Sequence, residues 1–223
     1  MTTMQAAVLT APGEMTITDV DRPVPAAGEV RIRLEGCGVC ASNVEPFEGQ
    51  PWSTFPGAPG GMGHEGWGIV DALGDGVTEL APGDRVAFLA GHSFAHYDVA
   101  PADMVVKLPD ALGDQPFPGE PLGCAFNIFR RSDIQPGQQV AIIGIGFLGA
   151  VLTKLATDVG ARVIAISRRD ESLDLARRFG AEIAVTQGEA LARDYPMIHA
   201  VGIAATPERA PRLIELAWGD PAH

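Results

Sequence analysis

The chain has 223 residues, with 16 Lys and Arg against 28 Asp and Glu, a formal net charge of −12. Affinity for nucleic acid or for an anionic membrane surface comes from clustered Lys and Arg, so this balance speaks against both partners. At 46% apolar and 20% charged residues the composition is that of a globular protein rather than a disordered one.

The length predicts one or two domains. No apolar run reaches the roughly eighteen residues of a membrane span. Met1 to Thr10 lacks the basic and apolar regions of a signal peptide. Three cysteines argue against a disulfide framework and for thiolate ligands in a reducing compartment, so a cytoplasmic location is expected.

The first half reads as β. Met4 to Leu9 is a short apolar run closed by Ala11-Pro12-Gly13, and Met15 to Val20 is a second. Glu29 to Glu35 alternates charged and apolar residues, the period of a half-buried strand. Gly66 to Leu73, Asp84 to Leu89 and Phe94 to Val99 complete a set of short strands separated by turn residues, which suggests a barrel-like or sandwich-like unit. The character changes near Pro121. Gly123 to Arg131 is an expected helix. Gln139 to Ile143 and Ala161 to Ile166 read as strands buried on both faces, separated by a helix from about Phe147 to Val159. Asp170 to Phe179 is a helix closed by Gly180. Glu182 to Thr186 and Met197 to Ala204 are further strands, and Glu208 to Ala217 is a last helix. Strand–helix alternation implies a doubly wound parallel sheet. The expected fold is therefore α/β: a β-rich domain over residues 1–120, then an α/β dinucleotide-type domain over residues 121–223.

Gly144-Ile145-Gly146-Phe147-Leu148-Gly149 follows a strand and opens a helix. In that context the first glycine permits a tight turn, the second lets backbone approach a pyrophosphate, and the third lets helix pack on strand. At the end of the next strand, where an acid would grip the ribose of NAD, stand Ser167, Arg168 and Arg169. Guanidinium forks suit a 2′-phosphate, so NADP(H) is favoured over NAD(H); Asp170 keeps NAD(H) open.

Three further fragments carry metal-binding residue types: Gly38-Val39-Cys40-Ala41-Ser42-Asn43, Gly63-His64-Glu65-Gly66 and Gly119-Glu120-Pro121-Leu122-Gly123-Cys124. Thiolate, imidazole and carboxylate are ligands that Zn²⁺ accepts, and a catalytic site needs three of them and an open position. In this order, with the turn at Pro82-Gly83-Asp84-Arg85-Val86 and the glycine turn, they resemble the zinc-dependent branch of the medium-chain dehydrogenase/reductase superfamily, the alcohol, polyol and threonine dehydrogenases. The resemblance spans about residues 4–205.

The resemblance implies a GroES-like catalytic domain followed by a Rossmann-type domain. It implies one catalytic Zn²⁺ held by Cys40 and His64, with Glu65 as a ligand or close exchangeable partner, and Glu120, directly or through water, favoured over Cys124 as the last ligand. It gives Cys40, Ser42 and His64 catalytic roles, with Ser42 passing on the substrate's proton. Gly144, Gly146, Phe147, Leu148, Gly149, Ser167, Arg168 and Arg169 would hold the dinucleotide. The family more often has Asp where this chain has Asn43, which removes a charge near the metal. His92, His96, Trp52, Phe55 and Trp67 are read first as packing residues. The implied reaction is hydride transfer between a small alcohol or polyol and NADP(H) or NAD(H). Only four of the family's six Rossmann strands are found, so the sequence reads as C-terminally shortened. The family's homo-oligomer is then not assumed, and a non-catalytic remnant that binds zinc or nucleotide is the alternative reading.

Overall fold

The structure is a computed structural model that describes residues 2–191 and 199–202. The chain divides into two compact units, Met1–Glu120 and Pro121–His223.

The first unit is built on β1 (Thr3–Ala11), β2 (Glu14–Asp21), β3 (Glu29–Gly38), β4 (Glu65–Leu73), β5 (Arg85–Phe88), β6 (Tyr97–Pro101) and β7 (Val105–Lys107), with a short helix α1 (Val44–Glu48). β1 and β2 form an antiparallel hairpin; the other five strands form an antiparallel sheet in the order β6-β3-β4-β5-β7. The alternation read in Glu29 to Glu35 has its expected effect. Val30 and Ile32 are fully buried and pack with Val70, Leu80, Val86, Phe88 and Ala100.

The Pro-Gly-Asp-Arg-Val turn has a mechanical explanation. Gly83 takes φ +96°, and Asp84 accepts the Ala81 amide at 2.9 Å. Arg85 then spreads three donors: to Glu35 Oε2 at 2.7 Å and to the carbonyls of Gly113 and Gln115 at 2.8 Å each. One guanidinium thus ties β3 to the segment leading out of the sheet.

α2 (Gly119–Arg131) starts four residues earlier than the sequence suggested, with Gly119 and Glu120 in the first unit and the rest in the second. β8 (Gln139–Ile143), α3 (Phe147–Asp158), β9 (Arg162–Ile166), α4 (Asp170–Arg178), β10 (Ile183–Val185), α5 (Gln187–Leu191) and β11 (His199–Gly202) follow. The four strands are parallel in the order β10-β9-β8-β11. Numbered from β8, that order is 3-2-1-4, the first four strands of a doubly wound sheet, whose order reverses direction between β8 and β11. Both faces of the sheet are buried, one by Val140, Ile142, Val163 and Ala165 with residues of α3 and α4, the other by Ile143, Ile164, Ile166 and Val185 with Ala190. This is why β8 and β9 read as continuous apolar runs. The expected helix at 208–217 lies outside the described residues.

No helix among the described residues is long and apolar enough to cross a membrane. Replacing Arg85 by Ala strands the Glu35 carboxylate and two carbonyls. Urea unfolding of the first unit, followed by amide exchange in β3 and β5, is expected to show a loss of about 2–3 kcal/mol.

Candidate metal centre and nucleotide turn

β3 delivers Cys40 and β4 begins at Glu65, one residue after His64. The two strands are paired so that Gly38 lies opposite Glu65. A Cβ at Gly38 would sit 1.9 Å from Glu65 Oε2, so only glycine leaves the carboxylate its place. One ligand atom each from Cys40, His64 and Glu65 lies within 4.8 Å of the others. Glu65 is buried, whereas Cys40 and His64 are half-buried. Among the described residues this is the group whose geometry could hold a metal ion.

Electrostatics prepares the set. Burial pushes the Cys40 thiol up, but hydrogen bonds from the Ser42 side chain and backbone and from His64 outweigh it, and the thiol ends below its ordinary value. Burial disfavours a charged His64, yet its hydrogen bonds to Cys40 and to the Met62 carbonyl, with the charges of Cys40 and Glu120, hold it above its ordinary value. A thiol with thiolate character is the form a metal takes. Cys37, three residues earlier, is the opposite case: burial pushes its thiol up to about 11, and its Sγ donates to the Gly38 carbonyl. It stands outside the cluster.

His64 is aimed by backbone. Its Nδ1 lies 2.8 Å from the Met62 carbonyl. A carbonyl only accepts, so Nδ1 carries the proton and Nε2 is left as the ligand atom. Asn43 Nδ2 donates to the same carbonyl at 2.9 Å, while Asn43 Oδ1 accepts the Cys40 amide at 2.9 Å. Asn43 thereby staples the Cys40 segment to the His64 segment, a tie the sequence did not reveal. A carboxylate could not do both, because it has no proton for Met62.

The remaining candidates divide. Ser42 is exposed beside Cys40. Glu120, in the first turn of α2, acts on His64 through its charge but is not one of the three clustered groups. Cys124 belongs to the second unit. Trp67 packs against Gly36, where a Cβ would meet its ring at 2.3 Å. Trp52 and His92 line a cleft of 340 Å³ with Leu9, Pro46, Ser53 and Met62, among others.

The glycine turn separates three physical roles. Gly144 needs its φ of +93°. A Cβ at Gly149 would strike the Gly144 carbonyl at 2.1 Å, so glycine lets α3 lie on the strand. A Cβ at Gly146 would meet nothing within 4 Å, which leaves room for a ligand to approach the backbone. Gly146 is also the N-cap of α3 and makes no side-chain cap bond, so the amides of Phe147, Leu148 and Gly149 face outward from the helix start. Gly144 donates to Ile166 at 2.9 Å, which sets the end of β9 beside the turn. Ser167 follows directly, and Arg168 and Arg169 are exposed.

The alcohol dehydrogenase GroES-like domain family matches residues 26–110. Residues 26–110 of the first unit thus form an alcohol dehydrogenase GroES-like domain. An alcohol dehydrogenase of Geobacillus stearothermophilus is 33% identical over 204 residues, covering 77% of this chain and 60% of that protein. The chain thus spans about 60% of the length of the curated relatives it matches. An Escherichia coli alcohol dehydrogenase solved with NADH is 26% identical with a TM-score of 0.83, covering 96% of this chain and 73% of that one. A zinc-binding dehydrogenase of Sinorhizobium meliloti solved with NADP is 25% identical with a TM-score of 0.81, covering 97% and 74%. The chain is thus similar to alcohol dehydrogenases, as its motifs implied. The relatives carry NADH in one case and NADP in the other, so they leave the preference between the two open.

Replacing Asn43 by Ala removes both staples and leaves the Cys40 amide without its partner. The expected loss is about 1–3 kcal/mol in urea unfolding, together with faster exchange of the His64 Nδ1 proton in NMR. Asn43→Asp should restore only the Cys40 bond and not the tie to Met62, because it sets a carboxylate against the Met62 carbonyl.

Proposed function

We propose that the chain is the zinc- and nucleotide-binding part of an oxidoreductase that moves hydride between a small alcohol or polyol and NADP(H), with NAD(H) as the lesser cofactor. The observation that carries this reading is the convergence of Cys40, His64 and Glu65 within 4.8 Å. Thiolate, imidazole and carboxylate at that spacing fit the three-ligand pattern of a catalytic zinc with one position left open. Glu120 is the candidate for a further, exchangeable carboxylate, and its charge already reaches His64.

Held by Cys40, His64 and Glu65, zinc would supply a Lewis acid that lowers the pKa of a substrate hydroxyl. The chain's own residues do the rest. Cys40 and Glu65 supply negative charge that balances the cation. The Met62 carbonyl keeps the His64 proton on Nδ1 and so keeps Nε2 available. Ser42, exposed beside Cys40, offers a hydroxyl suited to passing a proton from substrate to solvent. The outward amides of Phe147, Leu148 and Gly149 and the α3 dipole suit a pyrophosphate. Ser167, Arg168 and Arg169 suit a ribose 2′-phosphate.

Metal analysis of the chain is expected to find one zinc per molecule. Cys40→Ser should abolish its retention; retained zinc in that variant would overturn the ligand set. Zinc present without alcohol-dependent NADP⁺ reduction would favour the non-catalytic reading. Calorimetric titration should show NADP⁺ binding more tightly than NAD⁺. The double variant Arg168→Ala, Arg169→Ala should erase that difference, a loss of roughly ten- to hundredfold for NADP⁺ alone, given about 1.5–3 kcal/mol for a charged hydrogen bond. Tighter NAD⁺ binding by the unaltered chain would refute the arginine assignment.

A further inference from the structure

Among the described residues only two acidic side chains are buried, Glu65 and Asp98. Glu65 belongs to the cluster. Asp98 does not, yet it is only 2% exposed. Burial pushes its carboxyl up, against the hydrogen bonds it receives, so its position is costly. Its Oδ2 accepts the His92 amide at 3.0 Å and the Ser93 hydroxyl at 2.8 Å, and its Oδ1 accepts the Val99 amide at 2.8 Å. All its partners are donors.

Those bonds hold His92 and Ser93 in one path. Along that path the Ser93 amide donates to the Gly63 carbonyl at 3.0 Å and the Phe94 amide to the Gly60 carbonyl at 3.1 Å. Gly60 and Gly63 bracket Met62, and Gly63 directly precedes His64. The fit has no slack. A Cβ would meet the His92 carbonyl at 2.2 Å from Gly60, the Phe94 amide nitrogen at 2.4 Å from Gly63, and Ser93 Oγ at 2.8 Å from Gly66. Asp98 itself is rooted in β6, opposite Ile32 of β3, the strand that leads to Cys40. It therefore joins the strand that brings the thiol to the loop that backs the imidazole.

We propose that Asp98 is a positioning residue of the metal centre: by pinning His92 and Ser93 it fixes the backbone at Gly63 and thus the direction of His64. This rests on the metal reading above. It acts through the loop and touches no ligand of the cluster.

The test is a cobalt(II) titration of the whole chain, read by visible absorption, which reports both affinity and the symmetry of the ligand set. Asp98→Asn keeps one acceptor oxygen and turns the other into a donor facing a donor. It is expected to weaken cobalt binding about tenfold and to shift the absorption bands, in line with other residues that orient metal ligands. Ser93→Ala, which removes one of three bonds, should give a smaller change in the same direction. Asp98→Ala should exceed both, and if it does not fold the first two variants decide. Val86→Ala, a core change in the same unit, controls for lost stability: it should unfold earlier but bind cobalt as the unaltered chain does. A folded Asp98→Asn variant with unaltered affinity and bands overturns the proposal, as does an equal loss in Val86→Ala. Absence of any cobalt band in the unaltered chain overturns the metal reading itself, a failure distinct from the first.

Discussion

One carbonyl group organises the candidate metal centre. The oxygen of Met62 accepts from His64 Nδ1 and from Asn43 Nδ2. The first bond fixes the tautomer of the imidazole, and the second ties that carbonyl to the segment that carries Cys40. Met62 reaches this position at φ +73°, a left-handed conformation unfavourable for a residue with a side chain. Strain of this kind persists only where surrounding bonds over-determine it. Here the amides of Ser93 and Phe94 hold the neighbouring carbonyls, and Asn43 holds the strained residue's own.

A neutral carbonyl behind the imidazole has an electrostatic consequence. A carboxylate in that place would share its charge with the ring and make it a stronger donor to a cation. The carbonyl leaves the ring closer to neutral imidazole. The negative charge around the cluster then comes from Cys40 and Glu65, with Glu120 further out. Asn43 is consistent with that arrangement, since its amide proton is needed at Met62 and its oxygen at Cys40. The expected penalty of losing a charge at this position is thus accompanied by a gain in mechanical coupling between two ligand-bearing segments.

The parallel sheet was the most legible part of the chain. Gln139–Ile143 matched its strand end for end, because a strand buried on both faces leaves an unbroken apolar run bounded by turn residues. Short elements without a period escaped. Val44–Glu48 contains a proline, and Val105–Lys107 has three residues, two of them exposed. The strand expected at Phe94 to Val99 forms instead at Tyr97–Pro101, because Phe94 and His96 bond to β1 and the Gly60 carbonyl, with one further bond to β3. Cys40, His64 and Glu65 were visible as motif residues, and the structure brings them together. Asn43 and Asp98 were not visible as ties. Their role depends on which backbone groups the fold places before them, and no spacing along the chain encodes that.

The nucleotide turn raises a converse problem. A chain of net charge −12 repels a dinucleotide phosphate at long range, so attraction has to be local. The helix start after Gly146 offers it without any charged side chain, through amides that α3 cannot itself satisfy. Arg168 and Arg169 are different, because they stand at the start of α4, where the helix dipole disfavours cations. Asp170 and Glu171 in its first turn already satisfy that dipole. Two exposed guanidiniums there gain nothing from the helix behind them.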